Sequence, residues 1–371
     1  MNPEAAEVLR LRLAISQAAT KKYAAIEARQ HGARLHGLFQ YRGAARTGRW
    51  AGRAVQLHNL KRPPKGQDND AVAAALLDGT FDTAYGGKDA LETLGGAIRA
   101  AVAAPDGKAL VVRDLSSIES RVLGWVSNDQ KLQQVFKDGR DPYKDFASHW
   151  LGIPYDQITK AQRNLAKPPS LGCGYGLGPG GLEKYAASMG VEMTAADCES
   201  AVTAFRTTYR AIKPFWYWVE NAFRCAIAGF PTEGYRLKFD RQGDMVVITL
   251  PSGRGLYYYK PSLDEDGSIT YWGQNQYTTK WEPIRTYGAR LVENIVQAIA
   301  CDILTHGMQL ARSMLLPIVL HVHDEIGCEV PEAAAEAALQ ALGVCMDTVP
   351  AWAPGLILGS AGYIAKRYRK D

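Results

Sequence analysis

Two apolar runs far apart in the chain each stop on a carboxylate, and this pairing limits the possible folds more than any other feature. Residues 109–113 (Ala-Leu-Val-Val-Arg) have the apolar, β-branched character of a buried strand. Asp114-Leu-Ser-Ser follows at once and leads into a helical pattern over 118–126. Residues 318–322 (Ile-Val-Leu-His-Val) and 326–330 (Ile-Gly-Cys-Glu-Val) are joined by the polar His323-Asp324-Glu325, which predicts two strands and a tight acidic turn. Taken singly, each aspartate is what turns ordinarily contain. Taken together they set hard oxygen ligands at the edge of a sheet, where magnesium binds through one or two carboxylates plus substrate phosphates. A metal pair about 3.5–4 Å apart held in this way clamps the attacking and leaving oxygens of a phosphoryl transfer.

The rest of the chain mixes helix and strand signals. Residues 3–30 predict an N-terminal helix, 37–66 an irregular or short-stranded stretch, and 89–104 an amphipathic helix ended by Pro105-Asp-Gly. From 141 to about 229 the period is helical, broken by the glycine-rich segment 172–178. Residues 245–250 and 256–259 flank a Pro-Ser-Gly-Arg-Gly turn and predict a β-hairpin, followed by a long helix over 287–314 and another over 331–349. With 47% hydrophobic and 22% charged residues in 371, the chain is globular, and disorder, collagen and coiled coil are excluded. No apolar run suggests a membrane span or signal peptide. Six scattered cysteines without a CxxC pair argue against zinc and disulfides. A soluble, cytoplasmic protein is expected.

Net charge is +5, yet residues 28–67 hold nine Lys or Arg and no acid, leaving the remainder at −4. Such a local field suits a phosphate backbone, though a solvated loop would also read this way. A basic run closes the chain at 366–370 and reads as a tail. Arg163 and Lys167 are spaced to share one helix face, as a triphosphate cradle requires.

In combination these segments are specific. Asp114-Leu-Ser-Ser-Ile-Glu-Ser-Arg121 resembles motif A of the family A DNA polymerases. Arg163-x3-Lys167-x7-Tyr175-Gly176 resembles their motif B, and Val322-His-Asp-Glu325 their motif C. Thr47-Gly-Arg49 with Asn59, and Gln297-Ala-Ile-Ala-Cys-Asp302, agree in order and spacing, and the wording is similar to the bacteriophage branch.

The resemblance implies an α+β right-hand polymerase: a palm with an antiparallel sheet and helical fingers, the thumb mostly absent. It implies 1–45 as thumb base and palm entry, 46–140 as the first palm part, 141–229 as fingers, 230–285 as a β-hairpin insertion and 286–371 as the second palm part. Asp114 and Asp324 would bind two Mg2+ ions, with a carbonyl from Leu115 and support from Glu325. Arg163 and Lys167 would contact the triphosphate, Lys167 also serving as acid for the pyrophosphate leaving group. Glu119 would exclude a 2′-hydroxyl and Tyr175 border the templating base. Arg49, Asn59, Gln297 and His323 would touch primer-template DNA.

Three positions depart from the family pattern: Leu171 stands where an aromatic is usual, Tyr143 where a phosphate-contacting histidine is frequent, and Pro168-Pro169 directly follow Lys167. The prolines predict a kinked helix, unless a short segment restarts at Pro168. The implied activity is template-directed addition of deoxynucleotides (dNTPs) to a primer 3′ end, with a thumb- or exonuclease-bearing polypeptide as a conceivable partner. A non-catalytic or split-subunit remnant that binds primer-template is the alternative, and a single-subunit RNA polymerase the further one, opposed by Glu119 and Glu325.

Overall fold

The computed structural model describes residues 21–87, 89–275 and 278–369. Of the N-terminal helix predicted over 3–30, the part before Lys21 lies outside the described residues; the rest is helical only over Lys21–Glu27, and Gln30 already pairs with Leu35 in a short hairpin. The chain forms two compact units: 1–114 with 307–346 and 360–371, and 115–306 with 347–359. No described helix is long and apolar enough to cross a membrane.

The first unit is built on a four-stranded sheet in the order Ile318–Val322, Glu325–Pro331, Lys108–Leu115, Ser360–Ala365. The near-continuous apolar run at 109–112 is that of a strand buried on both faces. Leu110 and Val112 join Val55, Leu57, Ile98, Leu320, Val322 and Tyr368 in one core. On the other face the helix Ala335–Asp347 brings Gly343 against Arg113, where a Cβ would come within 2.7 Å of the guanidinium carbon. A small satellite core of Val72, Ala75, Phe81 and Ala97 lies beside it.

Two expectations change here. The helix predicted over 89–104 is α-helical only over Ala90–Ala97 and tightens to a 3-10 turn at Ile98–Ala101. Gly95-Gly96 weaken the helix, and Gly96 lies so close to Pro64 that no side chain fits. The basic run at 366–370 is no loose tail over its described residues: Ala104 N–H donates to the Lys366 carbonyl, Tyr368 N–H donates to the Val102 carbonyl, and the Tyr368 ring is fully buried.

The second unit is mainly helical. Thr159 and Gln162 form a reciprocal capping box on Lys160–Leu165, which ends at Ala166. A separate helix, Lys167–Gly172, restarts with both prolines in its first turn, where a missing N–H costs nothing. In the glycine-rich segment, Gly174 packs where a Cβ would clash with Leu123, and Gly176 takes φ 84°. The hairpin expected within 230–285 is present, but as the centre of a larger structure: six antiparallel strands follow one another from Thr232–Gly234 to Trp281–Thr286 in chain order. Its inner face carries Phe239, Ile248, Leu256 and Tyr258, and it packs on the helix Ile212–Ile227 through Trp218 against Phe239 and Phe223 against Tyr258.

Candidate active site

In the first unit, Glu325–Pro331 pairs with Lys108–Leu115 in unbroken antiparallel register, so Asp114 and Glu325 are direct cross-strand partners. Glu325 also closes the hairpin opposite Val322, leaving His323 and Asp324 as the turn. His323 takes the left-handed φ of 54° that tight hairpins draw on. Three carboxylates therefore share one end of the sheet, in different surroundings. Asp114 and Asp324 are half-buried, whereas Glu325 is 2% exposed and accepts a 2.6 Å hydrogen bond from the Tyr368 hydroxyl. Burial, reinforced by the neighbouring Glu325, raises the Tyr368 pKa and keeps that phenol a donor.

Beside the turn, Arg49 donates to His323 Nδ1 at 3.1 Å, which leaves His323 Nε2 to donate to the His58 carbonyl at 3.0 Å. The His58 and His321 rings are held neutral by burial, each lowered to about 4. His321 stacks on Phe39 at 4.3 Å and meets Trp50 edge-on. Asn59 is exposed and its amide donates to Gln56 Oε1, so its side chain bonds within its own turn.

In the second unit, Glu119 lies in the first turn of Ile118–Val126 and accepts from the Tyr175 hydroxyl at 3.4 Å. Arg163 and Lys167 fall on consecutive helices, yet both cations stand over the ring of Tyr143, at 5.2 and 5.8 Å. Burial raises the Tyr143 pKa. Arg163 is also ion-paired with Asp141 at 2.6 Å. Leu115 is buried in the last strand position, Leu171 half-buried, and Gln297 half-buried on Gly288–Ser313 between buried Val296 and Ala298.

Thus Asp114, Asp324, Glu325, His323 and Arg49 gather in one unit, and Glu119, Tyr175, Tyr143, Arg163 and Lys167 in the other. Two partners went unnoticed in the sequence. Asp141 carries a readable signal, since Asp-Pro is a common helix opening. Tyr368 carries none, because its partner Glu325 is distant in the chain.

A sequence profile of DNA polymerase family A matches residues 6–230. The chain belongs to DNA polymerase family A. That match holds Asp114, Arg163 and Lys167. The DNA polymerase of Bacillus phage SP02 is 35% identical over 382 aligned residues, which cover 98% of this family A chain and 57% of the phage protein. The thermostable DNA polymerase I of Thermus aquaticus is 27% identical over 269 residues, covering 69% of the chain and 27% of that enzyme. The chain thus spans about half the length of its phage relative and a quarter of the thermostable one. In structure it is similar to the POL domain of Pol1 from M. smegmatis in complex with DNA primer-template and dNTP, at a TM-score of 0.63, 19% identity, and coverage of 94% of this chain and 51% of that one. This likeness establishes the family A polymerase fold.

Proposed function

We propose that this chain adds deoxynucleotides to the 3′ end of a primer on a DNA template. The observation that carries the reading is the strand register that sets Asp114 opposite Glu325 with Asp324 next to it at the hairpin turn. No cluster of three His, Cys, Asp or Glu suited to a metal occurs among the described residues. The donor set nevertheless fits Mg2+, which keeps several waters and uses one or two carboxylates with substrate phosphates in place of a closed protein cage. Asp114 and Asp324, with the Leu115 carbonyl, would hold the two ions, which when bound lower the pKa of the primer hydroxyl and neutralise charge on the phosphates.

The chain's own residues do the rest. Arg163 and Lys167 would bind and orient the triphosphate, and the Lys167 ammonium would give a proton to the departing pyrophosphate. The Glu119 carboxylate, held by the Tyr175 hydroxyl, would exclude a 2′-hydroxyl and so favour deoxynucleotides over the ribonucleotides of an RNA polymerase. Arg49, Asn59, His323 and Gln297 contact the primer-template. In this reading the palm comprises 46–140 and 286–371, and the fingers 141–229.

The test is primer extension by the purified chain with each nucleotide type, with and without Mg2+. Asp114→Ala and Asp324→Ala should each cut extension more than about a hundredfold, since charge neutralisation at the metals supplies several kcal/mol. Wild-type binding of primer-template without any extension would instead assign the chain as a non-catalytic remnant.

A further inference from the structure

Asp141 opens the helix Pro142–Leu151 and divides its carboxylate between two tasks. Oδ1 accepts the Tyr143 and Lys144 backbone N–H groups, both at 2.9 Å, and so caps the helix. Oδ2 accepts from Arg163, at 2.8 Å from Nε and 2.6 Å from the terminal nitrogen Nη2. The Asp141 backbone N–H donates to the Tyr155 hydroxyl at 3.0 Å, and the Tyr155 ring is flanked by the cations of Arg140 and Lys144 at 4.1 and 4.5 Å. The carboxylate is therefore pinned at its backbone and by the cap, and it cannot follow Arg163 if that side chain moves.

A guanidinium has five N–H donors in a rigid planar fork. Asp141 takes the Nε–H and one Nη2–H, which form one edge, and the opposite edge of the fork keeps the geometry that matches a phosphate oxygen pair. The Tyr143 ring supports the same guanidinium from its face. We infer that Asp141 is a positioning residue for nucleotide binding: it holds Arg163 by one edge and so orients the other toward the triphosphate. This rests on the proposed role of Arg163 as a triphosphate contact, and the test separates the two.

Asparagine is as good a helix cap as aspartate, so Asp141→Asn keeps the cap and removes the charge that grips Arg163. Affinity for a deoxynucleoside triphosphate in excess Mg2+ is measured by calorimetry on the full chain for wild type, Asp141→Asn, Arg163→Ala and the double variant. Loss of a charge-assisted hold on the guanidinium should weaken affinity about tenfold in Asp141→Asn. Arg163→Ala should weaken it at least as much, and the double variant no more than Arg163→Ala alone. In steady-state extension the nucleotide KM, more than kcat, carries the change. The unfolding midpoint of Asp141→Asn should stay near that of wild type, while Asp141→Ala, which also loses the cap, unfolds earlier. If Arg163→Ala weakens binding and Asp141→Asn does not, or if the two losses add, the inference fails and the reading of Arg163 stands. If Arg163→Ala binds nucleotide as tightly as wild type, the reading itself fails and the inference with it.

Discussion

Asp114, Asp324 and Glu325 show how burial separates the surroundings of like residues. Asp114 and Asp324 are half-buried and keep access to water, whereas Glu325 is sealed at 2% exposure behind a phenol. Tyr368→Phe would leave that buried carboxyl short of a donor, at a cost of about 1–3 kcal/mol. A lower urea midpoint, with the Asp114-dependent chemistry retained at low denaturant, is the expected result. Glu119 belongs to the same scale. Its carboxylate is steadied by Tyr175, so Glu119→Ala should raise ribonucleotide use relative to deoxynucleotide use by more than it changes deoxynucleotide turnover, and Tyr175→Phe should do so more weakly. Competition assays with matched dNTP and rNTP pairs check this, and an unchanged ratio would return Glu119 to a structural role.

Among elements, the hairpin Gln30–His31 with Arg34–Leu35 is secured to the central sheet by charge. Glu329 is nearly buried on its strand; Arg34 donates to both its oxygens, at 2.5 Å to Oε2 and 2.9 Å to Oε1, and Lys108 also donates to Oε1 at 2.8 Å. The Arg34 hydrogen bond foremost, followed by that of Lys108, lowers the Glu329 pKa to about 2. Because the folded value is depressed below the ordinary carboxylate range, this contribution is complete above about pH 5 and disappears as the pH falls toward 2. Both cations are about half exposed, so solvent screening trims it to about 1–2 kcal/mol. Wild type should therefore exceed Glu329→Gln in stability at pH 7, and the gap should close by pH 2–3 in urea titrations.

For the whole molecule, the basic stretch is less available than its count suggests. Of the nine cations between 28 and 67, Arg34 is committed to Glu329 and Lys61 to Glu92. Arg53, Arg62 and Lys65 are exposed. Neutralising any one of these three, if it meets a phosphate, should reduce the slope of log affinity against log salt by about 0.9. Arg34→Gln should leave the slope unchanged while lowering stability. Fluorescence anisotropy on a primer-template from 50 to 300 mM salt distinguishes the two classes, and equal slopes for all variants would remove this stretch from the DNA interface.

Much of this was legible along the chain. The Ile118–Val126 helix, the strand before it and the hairpin at 318–331 follow from short-range patterns of apolar residues, and motif spacing singled out Asp114, Asp324, Arg163 and Lys167 before any coordinate. The prolines led to the expectation of a kink, and the structure has instead a restart, at Lys167, one residue before the Pro168 of the exception; the Thr159 capping box, which shapes the preceding helix, is itself local. Other features required distant partners. A hairpin signal at 245–259 holds no record that four more strands will flank it, since their pairing depends on an inner face finding the helix Ile212–Ile227. A basic run at the chain end reads as solvated until Tyr368 is seen to reach Glu325, and Asp141 reads as a cap alone until Arg163 is folded onto it. Local periodicity and capping act within about four residues and so are written in the sequence. Burial and ion pairing arise only when chain closure brings remote residues together, and the tertiary structure alone decided them.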